Sequence, residues 1–399
     1  MKRLGWILLV LLASTAPLWA MAKKITVQEL KELLAQMQDA KKGDADVANA
    51  LKQVELSEEL TRATMNALAS NVPGPLSTEQ IYVLEARSAM LPPPPSDIPA
   101  AAAPDAAAQQ AILAKAADYV NKTYSQLPVL TATKTTLRFQ DNFEALAAGS
   151  GMSGSAKEIS TASSFSNPAA FIHYINSTES TVASEHGAEK MPAEKDKTPW
   201  GSNRMIALQT PDPSLTGVFS EAQANGDLKF ARWETLNGLQ LAVFTYAIPK
   251  KKSHFAINVC CFPESEQAGM VQFSSASTGS LNGGSGGGAK GNFQTNTSYT
   301  KYFKQTPSYH GELFVDPATG TVARLIAEAD LKSTDLVHQV DTRIDYAPVK
   351  VGSQTLIVPV KTVTDTEVVP NGDSGTGGYS IRRTLFTAEF KNYQVAGGH

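Results

Sequence analysis

The spacing of apolar residues divides the chain into a helical part and a strand-rich part. Between residues 24 and 91 apolar side chains recur every three or four positions, as they do on one face of a helix. From Leu130 onward apolar and polar positions alternate, as in TATKTTLRFQD at residues 131–141. That period of two is typical of half-buried strands.

Capping signals predict where the helices begin. Residues 26–29 (TVQE) form a capping box, and residues 77–80 (STEQ) form a second one after the break at residues 73–75 (PGP). The segment DADVANALKQVELSEEL contains a further helix and, at Ser57, a start signal for another. Asp105 is expected to cap a helix that runs to about Tyr124.

Strand after strand follows with short turns. Asn237-Gly238 separates DLKFARWETL from LQLAVFTYAI, which predicts a two-residue hairpin. HFAINVCCF comes next, and Asp316-Pro317 introduces the turn between YHGELFVDP and TVARLIAEADL. Three more strand patterns complete the series. The pattern predicts an α+β protein with a small N-terminal helical module, then a helix and a curved antiparallel sheet, an incomplete barrel.

Composition shifts suggest four segments. We expect a signal peptide at 1–22, a helical module at 23–91 and a Pro/Ala-rich linker at 92–104 that contains a run of four prolines. The helix and the antiparallel β domain would occupy 105–399. Within that domain the stretch GSLNGGSGGGAKG, at 279–291, is expected to be a flexible glycine-rich loop.

The first 22 residues have the pattern of a secretory signal peptide. Two basic residues precede the apolar stretch WILLVLLA, and Ala20 and Ala22 fit the small-x-small cleavage pattern. The alternative, an uncleaved anchor, needs about 20 apolar residues, and Pro17 interrupts this stretch. We expect cleavage after Ala22 and an exported protein, periplasmic or extracellular, that does not span the membrane after cleavage.

Composition narrows the classes of function. The chain has 399 residues, a formal net charge of −3 and 42% hydrophobic residues, which suffices for a folded core. The near-neutral charge gives no sign of a nucleic-acid-binding surface. Two cysteines exclude a multi-bridge disulfide scaffold and a four-cysteine zinc site. We expect no cofactor and no nucleic-acid partner.

No motif assigns a catalytic residue or a metal ligand. Residues 283–287 match G-x-S-x-G but lie in low-complexity glycine, without the strand before and the helix after that a nucleophile elbow needs. None of the six histidines forms H-E-x-x-H or H-x-H. The adjacent Cys260 and Cys261 fit two buried thiols, an intermolecular bond, or a strained redox pair.

Charged strand positions are candidates by residue type. Asp341, Asp345, Glu312 and Glu328 could supply a carboxylate pair, but their pattern places them on the solvated face of the sheet. The three lysines at 250–252 fit a charged turn, with a weak contact to an anionic headgroup as the alternative.

Three stretches carry a resemblance: WETLNGLQLAVFTYAIP from Trp233, YHGELFVDPATGTVARL from Tyr309, and DYAPVKVGSQTLIVPV from Asp345. They resemble a group of uncharacterised exported proteins of acidobacterial type, and the likeness implies no activity. More distantly, the strand series is similar to periplasmic lipoprotein-carrier and sigma-regulator sensor folds. That likeness implies an incomplete barrel whose concave face holds acyl chains.

We expect a non-catalytic binding or carrier protein of the cell envelope, for a lipid or another apolar ligand. Its binding surface would include Val243, Phe244, Tyr246, Ile257 and Val259, which equally fit a plain core. The alternative is a protein-interaction or sensor module whose N-terminal helices meet an envelope partner. An envelope hydrolase ranks last, since no nucleophile, base and orienting residue can be named together.

Overall fold

The structure is a computed structural model that describes residues 23–141, 172–190, 207–208, 212–225, 228–263, 300–368 and 382–396. The predicted signal peptide, the G-x-S-x-G match and the glycine-rich loop at 279–291 lie outside these residues.

The N-terminal module contains four helices and a small parallel sheet. The helices are α1 (Val27–Asp39), α2 (Asp44–Lys52), α3 (Arg62–Ala69) and α4 (Pro75–Arg87), and the strands are β1 (Lys23–Ile25) and β2 (Val54–Leu56). The helical prediction for this part is confirmed, whereas the two three-residue strands were not predicted. Leu30, Leu51, Met65 and Ile81 are central to a core that belongs to the module alone.

The first predicted capping box is present, and the Ser57 start signal is wrong. The Thr26 hydroxyl oxygen accepts a hydrogen bond from Glu29 N at 3.1 Å, and the Glu29 carboxylate accepts one from Thr26 N at 2.8 Å. Ser57 instead follows β2, where its N–H donates to Ile25 O and extends the β1–β2 pairing. Helix α3 begins only at Arg62, after the cap Thr61.

The second predicted capping box is also wrong, because α4 begins two residues before Ser77. Pro75 takes the first helical position, which needs no N–H donor. The carboxylate of Asp44 accepts hydrogen bonds from Leu76 N at 3.0 Å and from Ser77 N at 2.8 Å. The start of α4 is thus capped by a residue of α2, which ties the two helices together.

The second part is built on an open antiparallel sheet of ten strands, in the order β5-β4-β3-β15-β14-β13-β12-β11-β8-β7, which is not closed into a barrel. The predicted α+β class is confirmed. The strand bounds are β3 (Leu130–Asp141), β4 (Ile172–Glu185), β5 (Ala188–Glu189), β7 (Lys229–Leu236), β8 (Leu239–Ile248), β11 (Tyr309–Val315), β12 (Val322–Ala329), β13 (Val337–Val351), β14 (Gln354–Val368) and β15 (Arg382–Val395).

A smaller sheet and two helices complete this part. The small sheet has the order β10-β9-β6, with β6 (Ala207–Leu208), β9 (Ile257–Pro263) and β10 (Thr300–Gln305). The sequence HFAINVCCF, which the pattern placed in the main series of strands, therefore contributes β9 to the small sheet and not to the large one. Helix α5 (Ala106–Asp118) starts after the predicted cap Asp105, and α6 (Leu215–Asn225) was not predicted.

The predicted hairpin turns are present. Asn237 and Gly238 both have positive φ, at 51° and 80°, as a two-residue hairpin turn requires. In the β11–β12 turn the Asp316 carboxylate accepts a hydrogen bond from Ala318 N at 2.8 Å. Gly320 of this turn has φ 78°, and a Cβ there would lie 2.4 Å from the backbone of Lys115. The turn can therefore pack directly on α5.

The two faces of the large sheet differ in chemistry. One face packs against α5 and α6 and forms the main core, with Ile112, Phe219, Phe244 and Leu325 among its members. We call the opposite one the charged face. Because residues two apart on a strand share a face and cross-strand partners lie side by side, the register places five charged residues together on it: Arg324, Arg343, Asp345, Lys361 and Asp365.

Buried ion pairs hold the helical module on the charged face. Glu59, 5% exposed, accepts from Arg343 at 2.6 Å and from Arg324 at 3.0 Å, and the exposures of these arginines are 6% and 2%. Arg324 and Arg343 also donate to Asp345, at 2.7 Å and 2.9 Å respectively. Glu85 of α4 pairs with Lys361 on the same face. A buried charge cluster thus joins two distant parts of the chain.

The Pro/Ala-rich linker is bound to both parts. Pro92 O accepts a hydrogen bond from Glu59 N at 2.8 Å, and Pro93 is buried. Ala102 O accepts one from the indole N–H of Trp233 in β7, also at 2.8 Å. The linker therefore holds the module close to the sheet.

Glu59→Gln tests the buried charge cluster. We expect it to lower the free energy of unfolding by about 3 kcal/mol, because it leaves two buried guanidinium groups short of negative charge. Urea unfolding measures this change. The control is Asp118→Asn, which removes an exposed pair with Lys122 and should cost less than about 0.5 kcal/mol. Equal effects of the two substitutions would contradict the assignment.

Candidate functional site

The five apolar residues predicted to bind a ligand are all fully buried, at 2% exposure or less. Phe244, Tyr246, Ile257 and Val259 lie together in the main core, whereas Val243 lies on the charged face in a small cluster with Phe314 and Ile326. The structure thus divides the predicted set between two faces. Of the five, Tyr246 also contributes to the wall of a cavity on the charged side.

Cys260 and Cys261 occupy consecutive positions of β9, and Cys260 is in register with Ala207 of β6. The possible redox pair stays a prediction.

The four candidate carboxylates do not lie on a solvated face. Asp341 is 8% exposed, and the side chains of Asp345 and Glu312 are 19% and 22% exposed. Glu328 is the most accessible of the four, at 35%. The expectation was wrong because alternation alone cannot show that a second unit covers the polar face. The helical module provides that cover.

A cavity of about 290 Å³ lies where the module meets the charged face; we call it the junction cavity. Strands β7, β8, β11 and β12 form its floor, and the chain from Ala89 to Pro93 forms the opposite wall. Seven acidic or basic residues line it: Glu59, Glu234, Glu312, Glu328, Arg232, Arg324 and His310. Its position between two parts of the chain is common for ligand sites.

Arg232 joins two of these carboxylates. Its guanidinium donates to both oxygens of Glu312, at 2.6 Å and 2.8 Å, and to Glu234 at 2.7 Å and 3.0 Å. Burial raises the pKa of Glu234 even though Arg232 and Arg324 oppose that change. These charge-assisted bonds fix the side chains of one end of the cavity.

His310 carries a positive charge at neutral pH. It lies 3.4 Å from Glu328 and 2.9 Å from Asp330. Hydrogen bonding to Glu328 and to Asp330 raises its pKa to about 9 against the opposing effect of burial. Glu328 has no arginine within ion-pairing distance in the described ranges, and this long contact to His310 is its ion pair there.

Negative charge accumulates beyond Glu328. Asp341 lies directly opposite Glu328 on the next strand and opposite Asp365 on the strand after it. Burial, and then repulsion from Glu328 and Asp365, raise the pKa of Asp341 to about 7. At Asp345 burial acts in the same direction, but Arg324 and Arg343 hold the pKa of that carboxyl well below its usual range. The pKa values of Asp341 and Asp345 thus shift in opposite directions, because Asp345 is bound by two arginines whereas Asp341 faces two carboxylates.

An aromatic floor supports the charged groups. The guanidinium groups of Arg324 and Arg232 lie 5.2 Å and 5.8 Å from the ring centre of Phe314, within cation–π range. Gly311 lets the Tyr246 hydroxyl donate to Ile326 O at 2.6 Å, because a Cβ on Gly311 would come within 1.9 Å of that oxygen. The floor therefore combines an aromatic ring with hydrogen-bonded polar groups.

The arrangement suits binding of a charged group better than bond cleavage. Glu59, Glu234 and Glu312 are each engaged by arginine, which keeps them from acting freely as acid or base. Among the described residues no group of three His, Cys, Asp or Glu side chains is arranged to hold a metal ion.

Sequence reasoning missed the residues that build this cavity, above all Glu59, Arg232, Glu234, Arg324 and His310. A usable signal exists in the strands R-W-E, R-L-I-A-E and R-I-D, where opposite charges recur two or four residues apart among apolar neighbours. Such spacing puts the charges on one face of a strand. In this structure that face lies under the helical module.

Asp341→Asn tests the accumulation of negative charge. The pKa of Asp341 is about 7 in the folded state against 3.8 ordinarily, so ionisation destabilises the fold progressively as the pH rises from about 4 to 7. Asparagine removes this effect. We expect the variant to be more stable than the native protein by up to about 4 kcal/mol at pH 8 and nearly equal at pH 4. Chemical unfolding at both pH values measures this. A gain of the same size at both would contradict the charge explanation.

Comparisons of the chain with models of protein families, with curated proteins and with solved structures give no match. In the described part of the chain, no helix combines the length and apolarity needed to cross a bilayer. The functional assignment therefore depends on the geometry of the junction cavity.

Proposed function

We propose that this protein is an exported, non-catalytic binding protein of the cell envelope whose ligand is a small molecule with a positively charged nitrogen. The ligand occupies the junction cavity, and its cationic group contacts Glu328 and Glu312. One observation carries the proposal: carboxylates outnumber cationic groups around a partly open cavity of about 290 Å³.

The charge count supports a cation. Four glutamates line the cavity against two arginines and one protonated histidine. Outside the lining, Asp341 and Asp330 add two carboxyls next to Glu328 and His310, and Arg343 adds one cationic group next to Glu59. A cation beside Glu328 would offset the repulsion that raises the pKa of Asp341. An anion would be repelled by the excess of carboxylates. It would also find both arginines of the cavity already bound by carboxylates.

Size and lining support a small organic ligand. The cavity volume is at the lower end of small-molecule sites. Phe314, Ile326 and Met90 supply apolar surface next to the charged groups, which suits an amine with a short carbon chain. This ligand is more polar than the lipid that the sequence suggested, because the apolar candidates are packed in the core.

The docked module argues against a free partner-binding head. Glu59 and Glu85 are paired with the sheet in buried positions, and the linker is hydrogen-bonded on both sides. In the binding proposal the module has a direct role, since residues 89–93 close one wall of the cavity.

Isothermal titration calorimetry with three four-carbon probes tests the proposal. Butylamine is protonated at pH 8, butan-1-ol is neutral and butanoate is anionic. We expect butylamine to bind with one molecule per chain and at least about ten times more tightly than butan-1-ol, and butanoate not to bind. Glu328→Gln should weaken butylamine binding about tenfold, because it removes the carboxylate that is least engaged by protein cations.

The matched control is Glu179→Gln, which changes an exposed glutamate of β4 outside the cavity. It should leave the affinity unchanged. Equal affinity for butylamine and butan-1-ol, or equal losses in both variants, would contradict the proposal.

The affinity for butylamine should also depend on pH. Asp341, with a pKa of about 7, is mostly protonated at pH 5.5 and mostly ionised at pH 8. The cavity is therefore more negative at pH 8, and we expect about three- to tenfold tighter binding there. In Asp341→Asn the affinity should change less between these two pH values. Titrations of both proteins at both values measure the effect, and tighter binding at pH 5.5 would be the contrary result.

A further inference from the structure

A second, larger cleft lies within the helical module. Its volume is about 500 Å³, and it is bounded by α1, by the start of α2 and by the chain that leaves α3. Asp44, at the start of α2, holds the start of α4 nearby through hydrogen bonds from Leu76 N and Ser77 N. None of the residues that line this cleft lines the junction cavity.

The floor of this module cleft is apolar. Val47 and Leu68 are buried members of the module core, and Leu34 and Val72 are half-buried against it. The cleft thus reaches down to the core of the module. A ligand there would exclude water from apolar surface, which favours a hydrocarbon group.

The rim of the module cleft is basic. Lys31 of α1 and Lys42, between α1 and α2, line it and are exposed. Neither lysine forms an ion pair with any residue in the part of the chain that the structure describes. Two unpaired ammonium groups above an apolar floor complement an anionic head joined to a hydrocarbon chain.

We propose that the module cleft binds a single-chain amphiphile with an anionic head, a long-chain carboxylate. The hydrocarbon chain lies on Leu34, Val47, Leu68 and Val72, and the carboxylate lies between Lys31 and Lys42. This site is separate from the junction cavity and has the opposite charge preference. The sequence predicts an apolar ligand on the β-sheet, and we place one in the helical module instead.

The dimensions favour one free amphiphile over a macromolecular surface. A volume of about 500 Å³ lies within the range of small-molecule sites. A stable protein partner needs about 800 Å² on each side, and two lysines give only weak attraction to an anionic membrane surface.

Calorimetric titration of the purified protein with dodecanoate, below its micelle concentration, tests this proposal. We expect one dodecanoate per chain, bound at least ten times more tightly than dodecan-1-ol. The double variant Lys31→Glu/Lys42→Glu should weaken dodecanoate binding at least tenfold. Ala35→Trp should abolish binding, because Ala35 lines the cleft from an exposed helix position and the indole would fill it without disturbing the core.

The matched control is Lys250→Glu/Lys251→Glu, two exposed lysines of a short turn after β8. It should bind dodecanoate like the native protein, and Glu328→Gln should do the same. Equal binding of dodecan-1-ol, or equal losses in the two double variants, would overturn the proposal. Sedimentation with phosphatidylglycerol vesicles in the absence of any dodecanoate binding would also overturn it, in favour of a membrane contact.

Discussion

The buried cluster of Glu59, Arg324, Arg343 and Asp345 is the interaction on which the arrangement of the two parts depends. Apolar contacts between the same surfaces would tolerate a small slide, because their energy follows area rather than direction. Guanidinium–carboxylate forks tolerate much less, since a buried charge that loses its partner costs several kcal/mol. The position of the wall formed by residues 89–93, and with it the shape of the junction cavity, follows from these four side chains.

Local signals allowed much of the fold to be predicted. The Asn237-Gly238 hairpin, the Thr26 and Asp105 caps and the alternation in β3 are all properties of a few adjacent residues. The errors arose where residues far apart in the sequence determine the local structure. Asp44 caps α4 from another helix, and β1 and β2 are too short to show a period. The candidate site was missed for the same reason, because Glu59 and Arg324 are 265 positions apart.

The junction cavity and the module cleft have linings of opposite chemical character. The junction cavity has more carboxylates than cationic groups, whereas the module cleft has an apolar floor and two lysines without an ion pair among the described residues. The chemical character of each cavity follows from the part of the chain that lines it, which is mainly the sheet for the junction cavity and the helical module for the cleft. Sheet positions under the module carry charges that must be paired, while Lys31 of α1 and Lys42 after it carry long basic side chains at the edge of the module core.

The position of β15 in the large sheet has a consequence for how the protein folds. This strand lies between β3 and β14, although β3 ends at Asp141 and β15 begins at Arg382. Residues 382–395 must therefore be in place before β3 to β5 can join the strands on the other side of β15, which are β14, β13, β12, β11, β8 and β7. Pairing between segments this far apart along the chain slows folding relative to a protein built from consecutive hairpins, because the loop must close before the contacts form.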